Sequence, residues 1–298
     1  MKSDIYTNRN FKPMLLKEIA KSFNSKDYIF EMKFDGIRAL IFTDGDEFYI
    51  QSRNIKDITY MFPELETIKN LVKSKVIFDG EIVAFDKNAP SFSKLQERLH
   101  LKNLKTIKLK SDYEPVYFIV FDILYEGTDL TNMSLVDRKN ILKKYKDSEC
   151  FYKCKYIDNN GIELFNKIKK NNLEGIVAKK KDAPYLINKR SDNYIKIKNI
   201  KDGEFYVCGY SNNKDNNSIS IILCKKAKDE FLYVGKVKLS SKYKLFNKIK
   251  KLKIINNYVD GYSDFMCVKP TYKCLVNYLE VTKNGHLRHG IFKEEVWV

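Results

Sequence analysis

Short runs of alternating hydrophobic and polar residues dominate the first third of the chain, and this pattern is typical of half-buried β-strands. A polar turn at Asp44-Gly45-Asp46 separates two of the runs, so antiparallel pairing is expected. The predicted strands are Ile29–Lys33, Ile37–Phe42, Phe48–Ser52 and Val76–Phe85. Between the last two, the residues from Pro63 to Lys73 carry apolar side chains at helical spacing and predict a helix.

The middle of the chain alternates buried and amphipathic stretches. Val116–Leu124 is almost wholly apolar or aromatic and predicts a strongly buried strand. The remaining predicted elements are helices at Asp137–Tyr145 and Ile162–Asn171, and strands at Leu173–Lys180 and Tyr194–Lys198. Antiparallel strands interspersed with helices predict an α+β domain over residues 1–199.

A second group of predicted strands begins near residue 200. These strands are Phe205–Tyr210, Ile219–Cys224, Phe231–Val237, Phe265–Lys269 and Leu275–Thr282. One predicted helix, Ser241–Lys253, follows the third of them. Five strands with a helix after the third are typical of an OB-type β-barrel, so residues 200–298 are predicted to form an OB-fold domain.

Composition narrows the class of protein. The 298 residues are 44% hydrophobic and include only 12 Gly and 6 Pro, which favours packed domains over a long disordered tail. The six cysteines and three histidines do not form a set at metal-ligand spacing, so reduced buried thiols are expected rather than a structural zinc site. The first residues form no signal-peptide core and no apolar run approaches ~18 residues, so an intracellular, cytoplasmic protein without a membrane segment is expected.

Net charge points to a polyanionic partner. There are 55 Lys and Arg against 38 Asp and Glu, a net charge of +17, although 48 of the cations are lysines, a bias that genome composition alone can produce. Residues 200–298 hold 18 Lys and Arg against 10 Asp and Glu, which is about twice the net charge density of residues 1–199. Candidate contacts to such a partner lie in the predicted helix at Lys242, Lys248, Lys250 and Lys251. An ordinary solvated helix face is an equal alternative.

Lys33 is the first residue whose surroundings indicate chemistry. It ends a predicted strand in Lys33-Phe34-Asp35-Gly36, where the glycine permits a tight turn. A lysine amine becomes nucleophilic near neutral pH only if burial or a nearby positive charge, such as that of Arg38 or a metal, favours its neutral form. The alternative is a turn that carries a solvated lysine.

Other charged and aromatic residues occupy predicted strands. Glu81 and Glu174 lie in or beside strands, where binding of a metal ion or a ribose hydroxyl is a reasonable use of a buried acid. Lys196 and Lys198 share one face of a strand and can reach the same phosphate, unless that face is simply exposed. Phe121 offers a ring for stacking on a base, although on its own it would be a core aromatic residue.

Arginines are rare enough to be informative. Only seven occur in the chain, and Arg38, Arg53 and Arg190 lie in or near the patterns just described. A planar guanidinium binds two phosphate oxygens, whereas an ammonium acts as a point charge. These three arginines are therefore predicted to bind phosphate.

Six segments in this order resemble motifs I, Ia, III, IIIa, IV and V of the covalent nucleotidyltransferases, the superfamily of ATP-dependent DNA ligases, RNA ligases and mRNA capping enzymes. The segments are Lys33-Phe34-Asp35-Gly36, Ser52-Arg53-Asn54, Phe78-Asp79-Gly80-Glu81, Tyr117–Asp122, Leu173–Lys179 and Tyr194–Lys198. The resemblance implies an antiparallel-sheet nucleotidyltransferase domain, ATP-grasp-like in form, before the OB-fold domain. It also implies ATP as cofactor together with Mg²⁺ or Mn²⁺.

The resemblance assigns a role to each matching residue. Lys33 would take AMP as a lysyl phosphoramidate, and Phe121 would stack on adenine. The backbone of Glu31 would contact adenine, and Arg38 and Arg53 would contact ribose and phosphates. Arg53 would also bind the 5′-phosphate of a nick, and Arg190 would bind a phosphate. Glu81 would bind ribose or metal, Glu174 would bind metal, and Lys196 and Lys198 would bind the α-phosphate.

Within this superfamily the chain is most similar to the ligase domain of bacterial end-joining DNA ligases. This likeness rests on Phe121–Gly127, Lys189-Arg190-Ser191, Leu287-Arg288-His289 and Ile291-Phe292-Lys293. It spans nearly the whole chain, so no appended polymerase or nuclease domain is expected. The chain departs from the motif pattern of this family in one respect: its end lacks motif VI, a basic-x-acid-basic cluster. Without this cluster, enzyme adenylation would be slow, or Lys293 or Arg288 would take its role.

The resulting prediction is a monomeric ATP-dependent DNA ligase that seals nicks in duplex DNA, in repair or end joining, with a Ku-like end-binding protein as a candidate partner. An association with the nucleoid follows from the DNA substrate. The alternatives are an ATP-dependent RNA ligase, a capping guanylyltransferase and a non-catalytic nucleic-acid-binding module that retains the fold. An NAD-dependent ligase is disfavoured because the extra domains of that class have no counterpart here.

Overall fold

The computed structural model describes residues 4–87, 89–215, 217–228, 230–255 and 265–296. It divides into two compact units, Met1–Lys198 and Asn199–Val298. The described strands are β1 (Leu15–Glu18), β2 (Tyr28–Met32), β3 (Ile37–Thr43), β4 (Phe48–Ser52), β5 (Val76–Val83), β6 (Phe85–Asp86), β7 (Ala89–Pro90), β8 (Tyr117–Glu126), β9 (Phe151–Lys153), β10 (Tyr156–Asp158), β11 (Gly175–Lys180), β12 (Arg190–Lys198), β13 (Lys201–Asn212), β14 (Ser218–Ala227), β15 (Glu230–Ser240), β16 (Met266–Tyr278), β17 (Glu280–Val281), β18 (Leu287–Arg288) and β19 (Ile291–Val296). The described α-helices are α1 (Phe92–Leu99), α2 (Leu104–Tyr113), α3 (Leu135–Leu142), α4 (Gly161–Lys170) and α5 (Lys244–Lys250), and Thr59–Met61 and Pro63–Leu71 form 3₁₀-helices.

Two five-stranded sheets build the first unit. The first sheet has the order β1-β12-β11-β2-β10, and the second sheet has the order β4-β3-β5-β8-β9. Most neighbours are antiparallel, as predicted, but β1 pairs with β12 and β8 pairs with β9 in parallel. The sheets are therefore mixed: the predicted antiparallel pairing holds for most neighbours but not for these two pairs. Both parallel pairs place a short strand at a sheet edge, and such a strand carries little periodicity of its own.

Alternation along the strands of the first sheet separates its two faces. Phe30, Ile176, Ala178 and Ile197 point to one face and pack with Phe165 and Ile168 of α4. Residues one position away in each strand therefore point to the opposite face, toward the second sheet. Glu31, Lys33, Val177, Lys179, Tyr194, Lys196 and Lys198 are the residues that share this face by their strand positions.

The second sheet alternates in the same way. Ala39, Ile41, Phe78 and Ile82 belong to the main core on its outer side, where the 3₁₀-helix Pro63–Leu71 packs. On the inner side, a second core fills one end of the space between the two sheets with Leu40, Phe42, Ile77, Leu124, Ile29 and Tyr194. The positions that continue this inner row are Arg38, Asp79 and Glu81, so the apolar core gives way to a polar cleft at the other end.

A β-bulge in β8 directs Phe121 into that cleft. Asp79 pairs with Asp122 and Gly80 pairs with Val120, so Phe121 has no partner residue on β5. The extra residue interrupts the alternation: Val120 and Ile123 belong to the main core, and both residues between them face the other side of the sheet. Phe121 packs there with the partly buried cluster around Val83, and Asp122 accepts a hydrogen bond from Tyr194. Bulges re-aim side chains in this way, often beside active sites.

The second unit is built on a third sheet with the order β15-β14-β13-β16-β19, all antiparallel. α5 follows β15, as the predicted order required, and its side chains Leu245, Phe246 and Ile249 are buried in the core of this unit. The helix spans seven residues rather than the predicted thirteen.

One predicted break in the second unit is absent. Phe265–Lys269 and Leu275–Thr282 were predicted as separate strands, yet β16 runs from Met266 through Pro270 to Tyr278. The register with β13 shifts there, from a pair at Tyr272 to a pair at Cys267. Proline lacks a donor N–H, and an irregular stretch of this kind can accommodate it without loss of a ladder hydrogen bond. No helix within the described ranges is long and apolar enough to cross a membrane.

Candidate active site

A pocket opens where the polar cleft between the first two sheets meets solvent. It is lined by Leu16, Glu31, Met32, Lys33, Phe34, Arg38, Glu81, Phe121, Val177, Lys179 and Tyr194. Five of these, Glu31, Lys33, Arg38, Glu81 and Phe121, are residues that the sequence predicted to bind or react with a nucleotide. They come from four strands or strand ends of two different sheets, so only the tertiary structure brings them together.

Lys33 lies at the end of β2, where the chain turns out of the first sheet. Its backbone N–H donates to the carbonyl of Gly175, 2.9 Å away, which fixes the start of the turn. Its ammonium donates to a carboxylate oxygen of Glu174 at 2.8 Å, and both side chains are largely buried. The turn needs Gly36, because a Cβ at that position would lie 2.2 Å from the carbonyl oxygen of Ile82.

Glu81 is the second acid of the site. Burial raises the pKa of Glu81 to about 7, and the nearby cations Lys33 and Arg38 oppose the shift without cancelling it, while Glu174 and Asp79 add to it. The folded protein therefore favours the protonated form of this carboxyl group more than water does. An added divalent cation or a further donor would favour its charged form.

Arg38 is held rigidly by the second sheet. Its Nε and one terminal nitrogen donate to the two oxygens of Asp79, at 2.7 and 2.6 Å. Tyr185 donates its hydroxyl to Asp79 at 2.6 Å, and the backbone N–H of Met14 donates to Tyr185 at 3.0 Å. This bidentate pair uses the fork that could otherwise bind phosphate, so the structure presents Arg38 to the pocket through its remaining donor edge.

Glu31 carries a buried charge network behind the pocket. The carboxylate accepts a hydrogen bond from Lys139 of α3 and lies 2.6 Å from the ammonium of Lys179. All three side chains are at most 6% exposed. Burial lowers the pKa of Lys179, and the like charge of Lys139 adds to this effect while Glu31 opposes it.

Two cations lie close to the ring of Phe121. The guanidinium of Arg38 is 4.8 Å from the centre of its ring, and the ammonium of Lys179 is 4.2 Å from it. Cations at these distances are attracted to the electron-rich ring face. The ring is thus oriented by charged neighbours and remains partly exposed to the pocket.

A second buried pair supports the bulged strand. Arg138 of α3 donates to both oxygens of Asp122 at 2.8 and 2.9 Å, and the hydroxyl of Tyr194 donates to the same carboxylate at 2.8 Å. Both charged side chains are fully buried. Burial alone would raise the pKa of Asp122, but the Arg138 guanidinium outweighs it and the pKa is lowered.

Lys196 and Lys198 lie on β12, on the face shared with Tyr194. Neither lines the pocket itself; their ammonium groups lie 2.9 and 3.0 Å from one oxygen of Glu18, at the end of β1. The strand pairing places Lys198 opposite Gly175, and Gly175 accepts the backbone hydrogen bond from Lys33. The two lysines therefore flank the region around Lys33.

Two of the predicted arginines, Arg53 and Arg190, lie on the surface. Arg190 begins β12, is exposed, and donates to the backbone carbonyl of Leu16. Arg53 is exposed in the turn after β4, and in the described part of the chain it makes no hydrogen bond or ion pair. Neither arginine lines the pocket.

Several residues of the site received no role from the sequence. Lys179 and Tyr194 belong to segments that resembled motifs IV and V, and Asp79 and Asp122 lie beside predicted site residues, but none was singled out. Arg138 was one of only seven arginines, and an arginine in a chain rich in lysine is the one signal that could have identified it. Nothing local marks Tyr185, Lys139 or Glu18, because their partners are more than 100 residues away in the sequence.

Comparison with known proteins places the chain in a family. The profile of the ATP-dependent DNA ligase domain matches residues 12–198. The SPbeta prophage-derived DNA ligase-like protein LigB of Bacillus subtilis is 37% identical over 202 residues, which cover 67% of this chain and 71% of LigB. The multifunctional non-homologous end joining protein LigD of Mycolicibacterium smegmatis is 29% identical over 251 residues, 82% of this chain but only 31% of that longer protein.

Solved structures agree on the fold. The ligase domain of Mycobacterium tuberculosis LigD superposes with a TM-score of 0.59 at 23% identity and covers 96% of this chain and 95% of that domain. A Lig E DNA ligase, described as binding DNA with a minimal scaffold, gives a TM-score of 0.61 at 20% identity over 94% of this chain and 98% of Lig E. These ligases share the mixed-sheet nucleotidyltransferase fold of the first unit. The chain therefore belongs to the family of ATP-dependent DNA ligases.

Proposed function

We propose that this DNA ligase seals nicks in duplex DNA through a lysyl-AMP intermediate on Lys33. The observation that carries the proposal is the position of Lys33 at a pocket lined by Glu81, Arg38 and Phe121, with Glu174 as its hydrogen-bond partner. In the first step the Nζ of Lys33 attacks the α-phosphorus of ATP. The bond from that phosphorus to the bridging oxygen breaks, and pyrophosphate leaves.

Lys33 must lose a proton before or during this attack. The carboxylate of Glu174 is 2.8 Å from the ammonium and is the nearest acceptor for that proton. Arg38 and the lysines of β12 supply positive charge around the same point, which would stabilise the negative charge that develops on the transferred phosphoryl group.

The nucleoside half of ATP fits the inner part of the pocket. Phe121, aimed by the β8 bulge, would stack on one face of adenine, and Glu31 near the end of β2 would contact the base through its backbone. Glu81 would bind a ribose hydroxyl or a metal ion.

The acids near Lys33 fit a divalent cation such as Mg²⁺ or Mn²⁺. The described residues contain no group of three or more metal ligands, and Mg²⁺ at nucleotide sites uses only one or two carboxylates together with phosphate oxygens and water. Glu174 and Glu81 would hold the ion, and the pKa of Glu81 near 7 leaves its carboxyl group ready to ionise beside a cation. The ion would supply Lewis-acid neutralisation of the phosphates.

The later steps use the exposed cations. AMP passes from Lys33 to the 5′-phosphate of a nick, and a 3′-hydroxyl then displaces it. We propose that Arg53 and Arg190 bind the nick phosphate and that the second unit is an OB-fold domain whose lysines, Lys242, Lys248, Lys250 and Lys251, contact the DNA backbone. A monomer that works at the nucleoid, with a Ku-like partner at DNA ends, is consistent with the likeness to end-joining LigD.

Labelling with α-³²P-ATP and Mg²⁺ tests the first step. The wild-type chain should acquire a label that survives denaturation, and Lys33→Ala should lose it by at least roughly 1000-fold because the nucleophile is gone. Lys167→Ala is the matched control, since Lys167 is an exposed lysine of α4 paired with Glu163. Label on Lys33→Ala would overturn the assignment of the nucleophile.

Substrate choice needs a second measurement. Pre-adenylated wild-type protein is offered nicked duplexes with DNA or RNA on either side of the nick. Sealing of the all-DNA nick at the highest rate supports a DNA ligase. Preference for an RNA strand would make the chain an RNA ligase, and failure on every duplex would leave only nucleic-acid binding.

A further inference from the structure

Glu18 is an acid that the reaction described above does not use. It ends β1 opposite Lys196 of β12, and the backbone N–H of Ile19 donates to the carbonyl of Lys196 at 3.2 Å, so the pairing of the two strands continues to this point. One oxygen of its carboxylate lies 2.9 Å from the ammonium of Lys196 and 3.0 Å from that of Lys198.

A single oxygen shared by two ammonium groups sets the distance between them. The two nitrogens cannot be further apart than the sum of these contacts, about 6 Å. Lysine side chains have long flexible stems, and two like charges on adjacent positions of one strand face would otherwise move apart. A tetrahedral phosphoryl group presents two charged oxygens, and two ammonium groups no more than about 6 Å apart can each bind one of them.

The strand register links this arrangement to the reacting centre. Lys198 pairs with Gly175, which accepts the backbone hydrogen bond from Lys33, and Lys196 pairs with Val177, which lines the pocket. Leu16, two residues before Glu18 on the same strand, also lines the pocket. β1, an edge strand, thus brings Glu18 next to the two lysines that are proposed to bind phosphate.

The two neighbouring ammonium groups favour the ionised form of Glu18. Its partial burial acts against ionisation, but the hydrogen bonds from Lys196 and Lys198 outweigh burial and lower the pKa of Glu18. The acid is therefore ionised at every pH at which the enzyme would work, and the pairing does not depend on a protonation event.

We propose that Glu18 is a positioning residue that holds Lys196 and Lys198 together so that both reach the α-phosphate of the nucleotide. This inference rests on the proposed function, because it assumes that the two lysines bind that phosphate. Glu18 itself does not touch the reacting atoms. The bridging carboxylate keeps the lysines at phosphate spacing before the nucleotide arrives, which reduces the ordering cost of the adenylation step.

Glu18→Gln keeps the shape of the side chain and removes its charge. The rate constant of lysyl-AMP formation at saturating ATP should fall roughly tenfold, whereas the KM for ATP should change less than about twofold, because the lysines act on the transferred phosphoryl group rather than on the whole nucleotide. Glu18→Asp, which retains the charge, should recover most of the rate. Glu163→Gln on exposed α4 is the matched control and should leave the rate unchanged.

A double-mutant cycle separates positioning from a general structural effect. If Glu18 acts through the lysines, Lys196→Ala should lower the rate less in the Glu18→Gln background than in the wild type. Circular dichroism and thermal unfolding of each variant verify that β1 remains in place. Additive effects, or a Glu18→Gln rate equal to that of Glu163→Gln or above the wild-type rate, would overturn the role of Glu18.

The same labelling assay separates this inference from the proposed function. If the wild type is labelled and Lys33→Ala is not, the proposed function stands. The Glu18 variants then decide whether Glu18 positions the two lysines. If the wild type itself acquires no covalent label, the lysyl-AMP mechanism fails and the role of Glu18 fails with it.

Discussion

Positive charge is organised in opposite ways in the cleft of the first unit and on helix α5 of the second. In the cleft the arginines are buried and each is bound to a carboxylate, Arg38 to Asp79 and Arg138 to Asp122. On α5 the lysines lie around a helix whose apolar side is buried: Lys248 is paired with Glu295 at 2.7 Å, whereas Lys250 is exposed and forms no ion pair in the described part of the chain. A charge that must orient a substrate is fixed in position, whereas a charge that attracts a polyanion need only be present.

The two arrangements also differ in their energetic cost. A buried pair loses hydration on both ions and regains it only through well-aligned hydrogen bonds, so removal of one partner leaves an uncompensated buried charge. An exposed lysine keeps its hydration and contributes little to stability. The same substitution should therefore have very different effects in the two regions.

Arg138→Met should have the largest effect on stability. It removes both guanidinium hydrogen bonds to Asp122 and leaves that carboxylate buried with the hydroxyl of Tyr194 and the backbone N–H of Ile123 as its remaining donors. The free energy of unfolding should fall by about 3–5 kcal/mol, measured by urea unfolding followed by circular dichroism. Lys250→Met, on the surface of α5, should change it by less than about 0.5 kcal/mol.

A second variant shows whether the unpaired charge of Asp122 causes the loss of unfolding free energy. Adding Asp122→Asn to Arg138→Met neutralises the carboxylate, and part of the lost stability should return. If the double variant is as unstable as the sum of the two single variants, packing rather than charge would explain the effect, and the contrast between the two regions would lose its electrostatic basis.

Glu81→Gln should have the next largest effect, and its sign depends on pH. The folded-state pKa of Glu81 is about 7 against an ordinary value of 4.5, so the folded protein favours the protonated acid and loses stability as pH rises from 4.5 through 7. The neutral glutamine removes this loss. Unfolding at pH 8 should require up to roughly 3 kcal/mol more free energy in the variant, and the difference should vanish near pH 4.5.

Glu114 is the matched acid for this experiment because its pKa is shifted the other way. Hydrogen bonds from Lys110 and Lys94 lower the pKa of Glu114 to about 2, so its contribution to stability is present above pH 4.5 and is lost as pH falls toward 2. Glu114→Gln should therefore destabilise the protein at pH 8. A stabilising effect of both substitutions, or of neither, would contradict the assigned shifts.

Sequence reasoning succeeded where a pattern is local. The strands from Ile37 to Ser52 and the place of the helix in the second unit follow from alternation and turns, and the residues around the pocket follow from short segments that resemble known motifs. Helices α1 and α2 were not predicted: their apolar stripes are short and interrupted by lysines, and few of their residues are buried. The four-residue strand β1 was also missed, since its status depends on a parallel pairing with residues 175 positions away.

The site could be predicted only in part, for the same reason. Lys33 and Phe121 were identified from their own neighbours in sequence, but which acid faces Lys33, and which cations face Phe121, are tertiary facts. Glu18 illustrates the limit most clearly. In sequence it is one of 38 acidic residues, and its importance emerges only when β1 and β12 lie side by side.

The smallest expected effect concerns DNA binding by α5. Lys250 and Lys251 are both exposed, and if each contacts one backbone phosphate, the double variant Lys250→Ala/Lys251→Ala should bind nicked duplex DNA roughly tenfold more weakly near 0.1 M salt. The slope of log affinity against log salt should become shallower by about 1.8, since each lost phosphate contact contributes about 0.9. Fluorescence anisotropy over a salt series measures both. Lys167→Ala, an exposed lysine of the first unit that is already paired with Glu163, should leave the slope unchanged. Equal loss from the two variants would mean that net charge, and not its location on α5, attracts the DNA, and the second unit would then have no special part in binding.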